Sequence, residues 1–301
     1  MEKIIIDTNI GDDIDDALAI SFAVRSDEIE VIGVSTVYKN VEKRARLARC
    51  LLDAAQRSDI PVYKGIGNPL VEKVDLLHNL PQYWDEMDAF DIETEIDAID
   101  FMADMIRKNP GEITIVSIGP LTNIAVLLLK NPELVNKIKC INFMGGAYYN
   151  LFSEFNIKRD PEAAKFVFDS GVPIKAIGLD VTTRCVLSQE YFDKFINIED
   201  SFVQFQIKLI EKWRLSVPWR YPCLHDPLAV FSVFDADTIE YEEKYVDIEL
   251  HGEFTRGMTI THDQNRYLGI DGYHEKNTAL LAKTVDVKKF VDIFAERAFG
   301  V

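Results

Sequence analysis

The sequence has little positive charge. Its 301 residues carry 33 lysines and arginines against 50 aspartates and glutamates, which gives a formal net charge of -17. A chain with this charge is repelled by the phosphates of nucleic acids and by anionic lipid headgroups. The composition therefore argues against a nucleic-acid polymer or a membrane surface as a partner.

Cysteines and long apolar runs are also scarce. Cys50, Cys140, Cys185 and Cys223 are widely scattered and form no CxxC pair, a spacing typical of free thiols in a reducing compartment. No stretch approaches the roughly 20 apolar residues that a membrane-spanning helix needs. The N-terminus lacks the apolar segment of a signal peptide, so we expect a cytoplasmic protein.

The composition that remains, 48% hydrophobic and 28% charged, is that of an ordinary globular protein, and the length allows a large core. Buried β-branched runs alternate with helical patterns, which is the order of a parallel sheet flanked by helices. The sequence predicts one domain over residues 1–301, an open, mostly parallel, Rossmann-like α/β sheet. Residues 245–261 alternate in polarity and predict a small peripheral β-hairpin, and the pattern of residues 188–213 is helical and amphipathic.

Residues 7–20, DTNIGDDIDDALAI, hold five aspartates, an asparagine and a glycine between a buried strand and a helical pattern. They fall at the carboxyl edge of the predicted sheet, where α/β proteins bind ligands. Carboxylates this close repel one another unless a cation binds among them, and an all-oxygen set suits calcium or magnesium rather than zinc. This pattern predicts a metal site.

Two alternatives concern the same stretch. The acids can serve only as N-caps and first-turn residues, although a cap needs no more than one or two of them. An EF-hand is excluded by spacing, because it requires glycine at the sixth loop position and glutamate at the twelfth. Counted from Asp7, glycine falls fifth and Leu18 twelfth.

Three further places carry polar residues that suit a site. Asn40 follows a strand that ends at the same sheet edge, His78 lies in a long aperiodic segment at 74–91 that is typical of a lid, and His225 precedes Asp226 at the start of an apolar helix. Each fits an ordinary role as well, as a turn former, a surface histidine or a cap. The basic face of the helix predicted over 41–55, which includes Arg44, is expected to be solvated.

Taken in order, the motifs resemble one family closely, the nucleoside hydrolases of the inosine-uridine-preferring type. The acid-rich stretch is similar to the longer form of the family's N-terminal signature, and the matches continue as TVYKN, PVYKG, GPLTN, MGGA, EFN, DPEAA, LHDP and TRG. Together they span nearly the whole chain. The resemblance implies an open α/β sheet with a calcium ion at its carboxyl edge.

The resemblance also implies roles for single residues. His225 corresponds to the residue that protonates the departing base. The expected calcium ligands are Asn9, Asp16, the backbone carbonyl of Ile118, and Asp226. The groups expected to hold the ribose hydroxyls are Asp15, Asn40, Glu154 and Asn156. His78 is a further candidate for substrate contact, and Trp219 and Tyr221 are candidates for the base pocket, although aromatics ahead of a helix serve equally well as core.

Asn9 departs from the family pattern, which has an aspartate there as both calcium ligand and general base. An amide oxygen still coordinates calcium but accepts no proton at neutral pH. Two explanations stay open. Asn9 is an engineered substitution that traps substrate, or it is a natural divergence in which Asp12 or Asp13 takes over as base.

The function implied is calcium-dependent hydrolysis of the N-glycosidic bond of ribonucleosides in nucleoside salvage, by a homodimer or homotetramer. Histidine at 225 favours pyrimidine or broad base specificity. A catalytically silent, calcium-dependent nucleoside or ribose binder is the main alternative. A metal-dependent phosphohydrolase is disfavoured, because no cationic side chain that could bind phosphate stands beside the acids of 7–16.

Overall fold

The computed structural model describes residues 1–92, 95–218, 220–235, 237–263 and 278–301. Short strands rich in Ile and Val alternate with helices through the first two-thirds of the chain. The strands are β1 (Glu2–Thr8), β2 (Ile29–Thr36), β3 (Val62–Lys64), β4 (Ile113–Ser117), β5 (Cys140–Met144), β6 (Ile174–Ile177), β7 (Ile239–Ile248), β8 (Thr259–His262) and β9 (Ala279–Val285).

Within these residues the strands form one sheet in the order β3-β2-β1-β4-β5-β6-β9-β7-β8. Strands β1 to β6 and β9 pair in parallel, whereas β7 is antiparallel to both β9 and β8. The predicted α/β sheet and its peripheral hairpin, β7–β8, are therefore confirmed. Strand β9, which lies between the parallel sheet and the hairpin, was not predicted.

Eleven helices flank the sheet in the described part of the chain. They are α1 (Asp15–Val24), α2 (Val41–Ala54), α3 (Ala98–Lys108), α4 (Thr122–Lys130), α5 (Phe155–Arg159), α6 (Pro161–Phe168), α7 (Leu179–Thr182), α8 (Gln189–Phe195), α9 (Ser201–Arg214), α10 (His225–Phe231) and α11 (Val287–Phe299). Two 3₁₀ helices, Asp85–Ala89 and Pro132–Leu134, lie between them. Among the described residues, no helix is both long and apolar enough to cross a membrane.

The helical pattern predicted over 188–213 is divided between two helices. Helix α8 ends at Phe195, and α9 begins after Asp200, whose side chain accepts a hydrogen bond from the backbone N–H of Val203 at 2.9 Å. An aspartate that caps one helix interrupts the periodic pattern only weakly, because neighbouring apolar residues keep nearly the same spacing across the break.

The core lies on both faces of the sheet, and β1 shows why. Its three consecutive isoleucines are fully buried. Ile4 and Ile6 join a cluster with α1, α9, α10 and α11, whereas Ile5 joins a second cluster with α3, α4 and α6. Side chains alternate between the faces of a strand, so a continuous apolar run is what a central parallel strand requires.

The order of the strands also determines where a ligand site can form. From β1 the chain adds β2 and β3 on one side and then places β4 on the other. Neighbouring connections therefore diverge beyond the carboxyl ends of β1 and β4, which opens a crevice of the kind that binds ligands in α/β proteins. The acid-rich loop and Ile118 both emerge there.

Candidate active site

The acid-rich loop connects β1 to α1 and is tied back onto the strand that precedes it. The Thr8 hydroxyl donates to Asp16 Oδ1 at 2.5 Å, and the backbone N–H of Asn9 donates to the same oxygen at 3.1 Å. The N–H of Ile10 in turn donates to Thr8 Oγ1 at 3.0 Å. These bonds hold the first turn of α1 against the end of β1.

Three buried carboxylates meet at this point. Asp15, Asp16 and Asp226 each contribute an oxygen, and these oxygens lie within 4.8 Å of one another. Burial raises the pKa of Asp16 to about 7, and burial followed by repulsion from neighbouring carboxylates raises the pKa of Asp15 and Asp226 well above its usual range. In the part of the chain that the structure describes, no lysine, arginine or histidine forms an ion pair with any of them.

Asn9 and Ile118 complete an oxygen-rich end of the same cavity. The Oδ1 atom of Asn9 is buried and has no hydrogen-bond partner among the described residues. A Cβ atom at Gly119 would lie 2.8 Å from that oxygen, so this position has no room for a side chain. A buried, unsatisfied oxygen beside three carboxylates is unfavourable alone but suits a cation such as calcium. The residues present therefore fit the metal that the resemblance implies.

Glu154 and Asn156 lie beside this acidic end and are held rigidly. Glu154 caps α5: its Oε1 accepts the N–H of Asn156 at 2.8 Å, and its Oε2 accepts those of Gly146 and Ile157 at 3.0 and 3.1 Å. Burial raises the pKa of Glu154, and these N–H groups partly offset the shift. Asn156 Nδ2 donates to the carbonyl oxygens of Met144 at 3.0 Å and Ile118 at 3.2 Å.

His225 begins α10 and lines the same cavity. Its Nδ1 lies 2.7 Å from the hydroxyl oxygen of Thr182. Burial, and to a smaller extent the charge of Arg220, lowers the pKa of His225 to about 4, so the imidazole is neutral near pH 7. Because Nδ1 is engaged by Thr182, the second ring nitrogen, Nε2, is the one left to face a ligand.

The cavity that joins these groups has a volume of about 360 Å³, within the range of small-molecule sites. One end is formed by the acids and amides described above. The rest of the lining is mainly apolar and consists of Met144, Phe152, Phe155, Leu179, Trp213 and Val217, together with Ser216 and Arg220. A ligand with a polar, hydroxyl-rich part and a flat, less polar part matches this mixed lining.

Three of the predicted substrate residues that the structure describes are not in the cavity wall. Asn40 caps α2 by accepting the N–H of Lys43 at 3.1 Å, and its Nδ2 donates to the carbonyl of His78 at 3.5 Å. His78 Nε2 donates to Asp12 at 2.8 Å. Tyr221 is 43% exposed and contacts Gln189 through its hydroxyl at 3.4 Å. Trp219 lies outside the described residues, and the substrate roles of all four stay predictions.

Sequence reasoning missed three residues at or beside the cavity. Trp213 and Arg220 line it, and neither carried a signal beyond its place near His225. Arg44 was expected on a solvated helix face, and this prediction is wrong because its side chain is fully buried beneath the acid-rich loop. A buried arginine needs acceptors, and the additional acids at 12 and 13 were the available hint.

Comparisons with known proteins agree with this geometry. The sequence profile of a family described as inosine-uridine preferring nucleoside hydrolase matches residues 4–292. The chain is 32% identical to the probable uridine nucleosidase 2 of Arabidopsis thaliana, with 98% of this chain and 97% of the relative covered. It is 33% identical to the pyrimidine-specific ribonucleoside hydrolase RihA of Escherichia coli O9:H4 (strain HS), again over 98% and 97%.

A solved structure gives the same result. The purine-preferring ribonucleoside hydrolase from Gardnerella vaginalis superposes with a TM-score of 0.82 at 32% identity, over 99% of this chain and 98% of that chain. A plant nucleoside hydrolase superposes with a TM-score of 0.84 at 26% identity, over 100% and 99%. This chain therefore belongs to the inosine-uridine-preferring nucleoside hydrolase family.

Proposed function

We propose that this protein hydrolyses the N-glycosidic bond of ribonucleosides and that calcium is its metal. The observation that carries the proposal is the buried group of Asp15, Asp16 and Asp226 beside the unsatisfied Asn9 oxygen, at one end of a cavity that also holds His225. Bound calcium would supply positive charge that orients the ribose hydroxyls and a water molecule and makes that water more acidic.

The residues of the chain suit the rest of the reaction. Asp15, Glu154 and Asn156 face the cavity where a ribose would bind, and the negative charge of the two carboxylates stabilises the oxocarbenium character that develops on the sugar. As water adds to C1′, the electron pair of the broken bond moves to the base nitrogen. We propose that His225 protonates that nitrogen from Nε2; because its pKa of about 4 leaves the imidazole neutral near pH 7 in the free protein, this step requires the negative charge that develops on the base to raise that pKa, so that the imidazole takes up a proton from solvent and passes it on.

The proton that the water loses needs an acceptor other than Asn9. Asp12 is a poor candidate, because one of its oxygens accepts from Arg44 and the other from His78. Asp13 lines the cavity, and its side chain accepts hydrogen bonds from the N–H of Ile14 at 2.7 Å and from Trp213, without an ion pair to a basic side chain among the described residues. We infer that Asp13 is the better acceptor.

The test is ribose release from purine and pyrimidine nucleosides with calcium present, for the wild type, Asn9→Asp and Asp13→Asn. We expect turnover by the wild type, faster turnover by Asn9→Asp, and a loss of about 100-fold or more in Asp13→Asn, since general base catalysis contributes 10²–10⁴-fold. Absence of both ribose release and calorimetric nucleoside binding in all three proteins would refute the proposal.

Asn9 favours one second candidate, a calcium-dependent nucleoside or ribose binder without turnover. An asparagine preserves a metal-ligating oxygen while removing a proton acceptor. This candidate predicts that the wild type binds nucleosides in calorimetry and releases no ribose, whereas Asn9→Asp turns over.

Base preference, assembly and location belong to the same proposal. Relatives are named for uridine, pyrimidine and purine nucleosides, and we propose broad or pyrimidine-leaning specificity. We further propose a homodimer or homotetramer acting in cytoplasmic nucleoside salvage. Light scattering of the purified protein tests the assembly, and kcat/KM values across the nucleoside panel test the preference.

A further inference from the structure

Arg44 makes an unusual set of contacts for a helical arginine. Its side chain is fully buried, its Nε donates to the carbonyl of Tyr38 at 2.8 Å, and its Nη2 pairs with Asp12 Oδ2 at 2.8 Å. Its Nη1 donates to the carbonyl of Ile10 at 2.8 Å and also to the carbonyl of Asn9. One guanidinium thus bonds two loops, the one after β1 and the one after β2.

The hydrogen bond from Arg44 restrains the backbone carbonyl of Asn9. The backbone N–H of Asn9 is restrained as well, because it donates to Asp16 Oδ1 at 3.1 Å. With both its N–H and its C=O engaged, the residue has little freedom to rotate. Its side-chain oxygen is buried without a hydrogen-bond partner among the described residues, and the residue lines the same cavity as the three carboxylates.

The backbone of the loop after β2, which Arg44 contacts, is strained. Tyr38 and Lys39 have φ angles of 70° and 58°, a left-handed conformation that costs on the order of 1 kcal/mol or more for residues with a side chain. The bond from Arg44 to the Tyr38 carbonyl is one of the contacts that hold this conformation. A lysine cannot replace these bonds, because a single ammonium lacks the planar fork that reaches several acceptors.

We propose that Arg44 is a positioning residue for the metal site: it holds the backbone of Asn9 so that Asn9 Oδ1 and Asp16 reach the same cation. The inference rests on the proposed function for its choice of calcium. It predicts that loss of Arg44 weakens calcium binding even when no nucleoside is present.

Arg49 provides a matched control. It lies on the same helix, donates to the carbonyls of Ile60 at 2.6 Å and Arg57 at 3.1 Å, and pairs with Asp53 at 2.7 Å. It makes the same kinds of contact as Arg44, but none of its partners belongs to the cavity wall. Arg44→Lys and Arg49→Lys therefore differ in position rather than in chemistry.

The experiment is calorimetric calcium titration of protein stripped with a chelator, with melting temperatures recorded for each variant. We expect calcium binding about 10–100-fold weaker in Arg44→Lys, the usual effect of losing a residue that supports a metal ligand, and within about twofold of wild type in Arg49→Lys. Arg44→Lys binding calcium like the wild type, or Arg49→Lys losing as much, would overturn the inference.

A double-mutant cycle with Asn9→Ala separates positioning from general damage to the fold. If Arg44 acts through Asn9, then Arg44→Lys weakens calcium binding much less in the Asn9→Ala background than in the wild type. Equal losses in both backgrounds contradict the inference. Arg44→Gln, which keeps a donor but loses the fork, takes the place of Arg44→Lys in the cycle if the lysine variant does not fold.

Ribose release is measured on the same samples and keeps the two proposals apart. A wild type that binds calcium and releases no ribose refutes the proposed hydrolysis, while the comparison of Arg44→Lys with Arg49→Lys still decides the role of Arg44.

Discussion

Asp12 and the group formed by Asp15, Asp16 and Asp226 lie at the same carboxyl edge of the sheet, but among the described residues the chain forms ion pairs only with Asp12. Asp12 has Arg44 Nη2 and His78 Nε2 each at 2.8 Å from one of its oxygens. Asp15, Asp16 and Asp226 form no ion pair among the described residues, although the nearby charge of Arg44 acts on Asp16 and partly offsets its raised pKa. Asp12 and this group share residue type and location but differ in what compensates their charge.

The pKa shifts follow this difference. Burial alone would raise the pKa of Asp12, but the charge of Arg44 and hydrogen bonds from Arg44 and His78 outweigh it, and the pKa falls below its usual value. The pKa of Asp16 rises to about 7 through burial, despite the hydrogen bond from Thr8. An acid neutralised by its own chain stabilises the fold, whereas uncompensated acids destabilise it until a cation binds.

The largest expected effect comes from removing one uncompensated acid. Asp226→Asn is expected to lose calcium binding and at least about 100-fold in kcat/KM, because the charge of a bound metal is worth several kcal/mol and each 1.36 kcal/mol is a factor of ten. Without calcium, the same variant is expected to melt a few degrees higher than the wild type, because it removes repulsion between buried carboxylates.

Calcium titration, ribose assays and melting curves of the metal-free proteins check this prediction. A lower melting temperature for metal-free Asp226→Asn would show that the three acids are not a source of instability, and the contrast with Asp12 would then be lost.

The second effect is the pH dependence of the metal-free protein. Asp16, with a pKa of about 7, and Asp15 and Asp226, whose pKa is raised well above its usual range, bind protons in the folded state that the unfolded chain has already released above pH 4. The free energy of unfolding should therefore fall as the pH rises from about 4 to 7, by on the order of 2–4 kcal/mol.

Groups whose pKa is lowered on folding oppose this trend, and His225 and Asp12 are the ones at the site. His225, with a pKa of about 4, adds stability as the pH rises toward the unfolded value of 6.5, and Asp12 adds stability at the acidic end. Urea unfolding at several pH values measures the sum. Saturating calcium should reverse the slope, since the metal binds the deprotonated acids. Stability that rises with pH in the metal-free protein contradicts the prediction.

The third-largest expected effect comes from removing the charge of Asp12, the acid that is paired with Arg44. Asp12→Asn leaves a buried guanidinium without its counter-charge and is expected to lower the free energy of unfolding by about 3 kcal/mol, the low end for a broken buried pair, because Asp12 keeps some contact with solvent. Calcium affinity is expected to stay within about threefold of wild type. Urea unfolding and calcium titration check both values, and a larger loss of calcium affinity would place Asp12 with the metal ligands.

Sequence reasoning predicted the sheet and the acid-rich site better than it predicted which distant residues contact that site. The run Ile4–Ile6 and the repeated strand-turn-helix order were enough for the sheet, since only a central parallel strand buries both faces. The acids of 7–16 predicted a metal site from crowding alone. Asp226, more than two hundred positions away, joined the predicted ligands only through the family resemblance, because no local pattern reports which helix packs on α1.

The errors have a common physical cause. Arg44 is one of four basic residues on α2, and only the path of the loops after β1 and β2 decides that its side chain points inward. The break between α8 and α9 depends on a single cap at Asp200. Tertiary contacts of this kind override local periodicity, which is why the prediction was weakest where one side chain reaches a distant backbone.

The smallest expected effect distinguishes the two partners of Asp12. The His78 side chain is 31% exposed, whereas that of Arg44 is fully buried, and a pair that remains in contact with water contributes about 0.2–1 kcal/mol. His78→Ala is therefore expected to lower the free energy of unfolding by about 0.5 kcal/mol, with exposed His251→Ala as the surface control. If His78→Ala instead destabilised the protein as much as Asp12→Asn, His78 rather than Arg44 would be the main partner of this carboxylate. The acid-rich loop would then depend on the segment at 74–91 more than on α2.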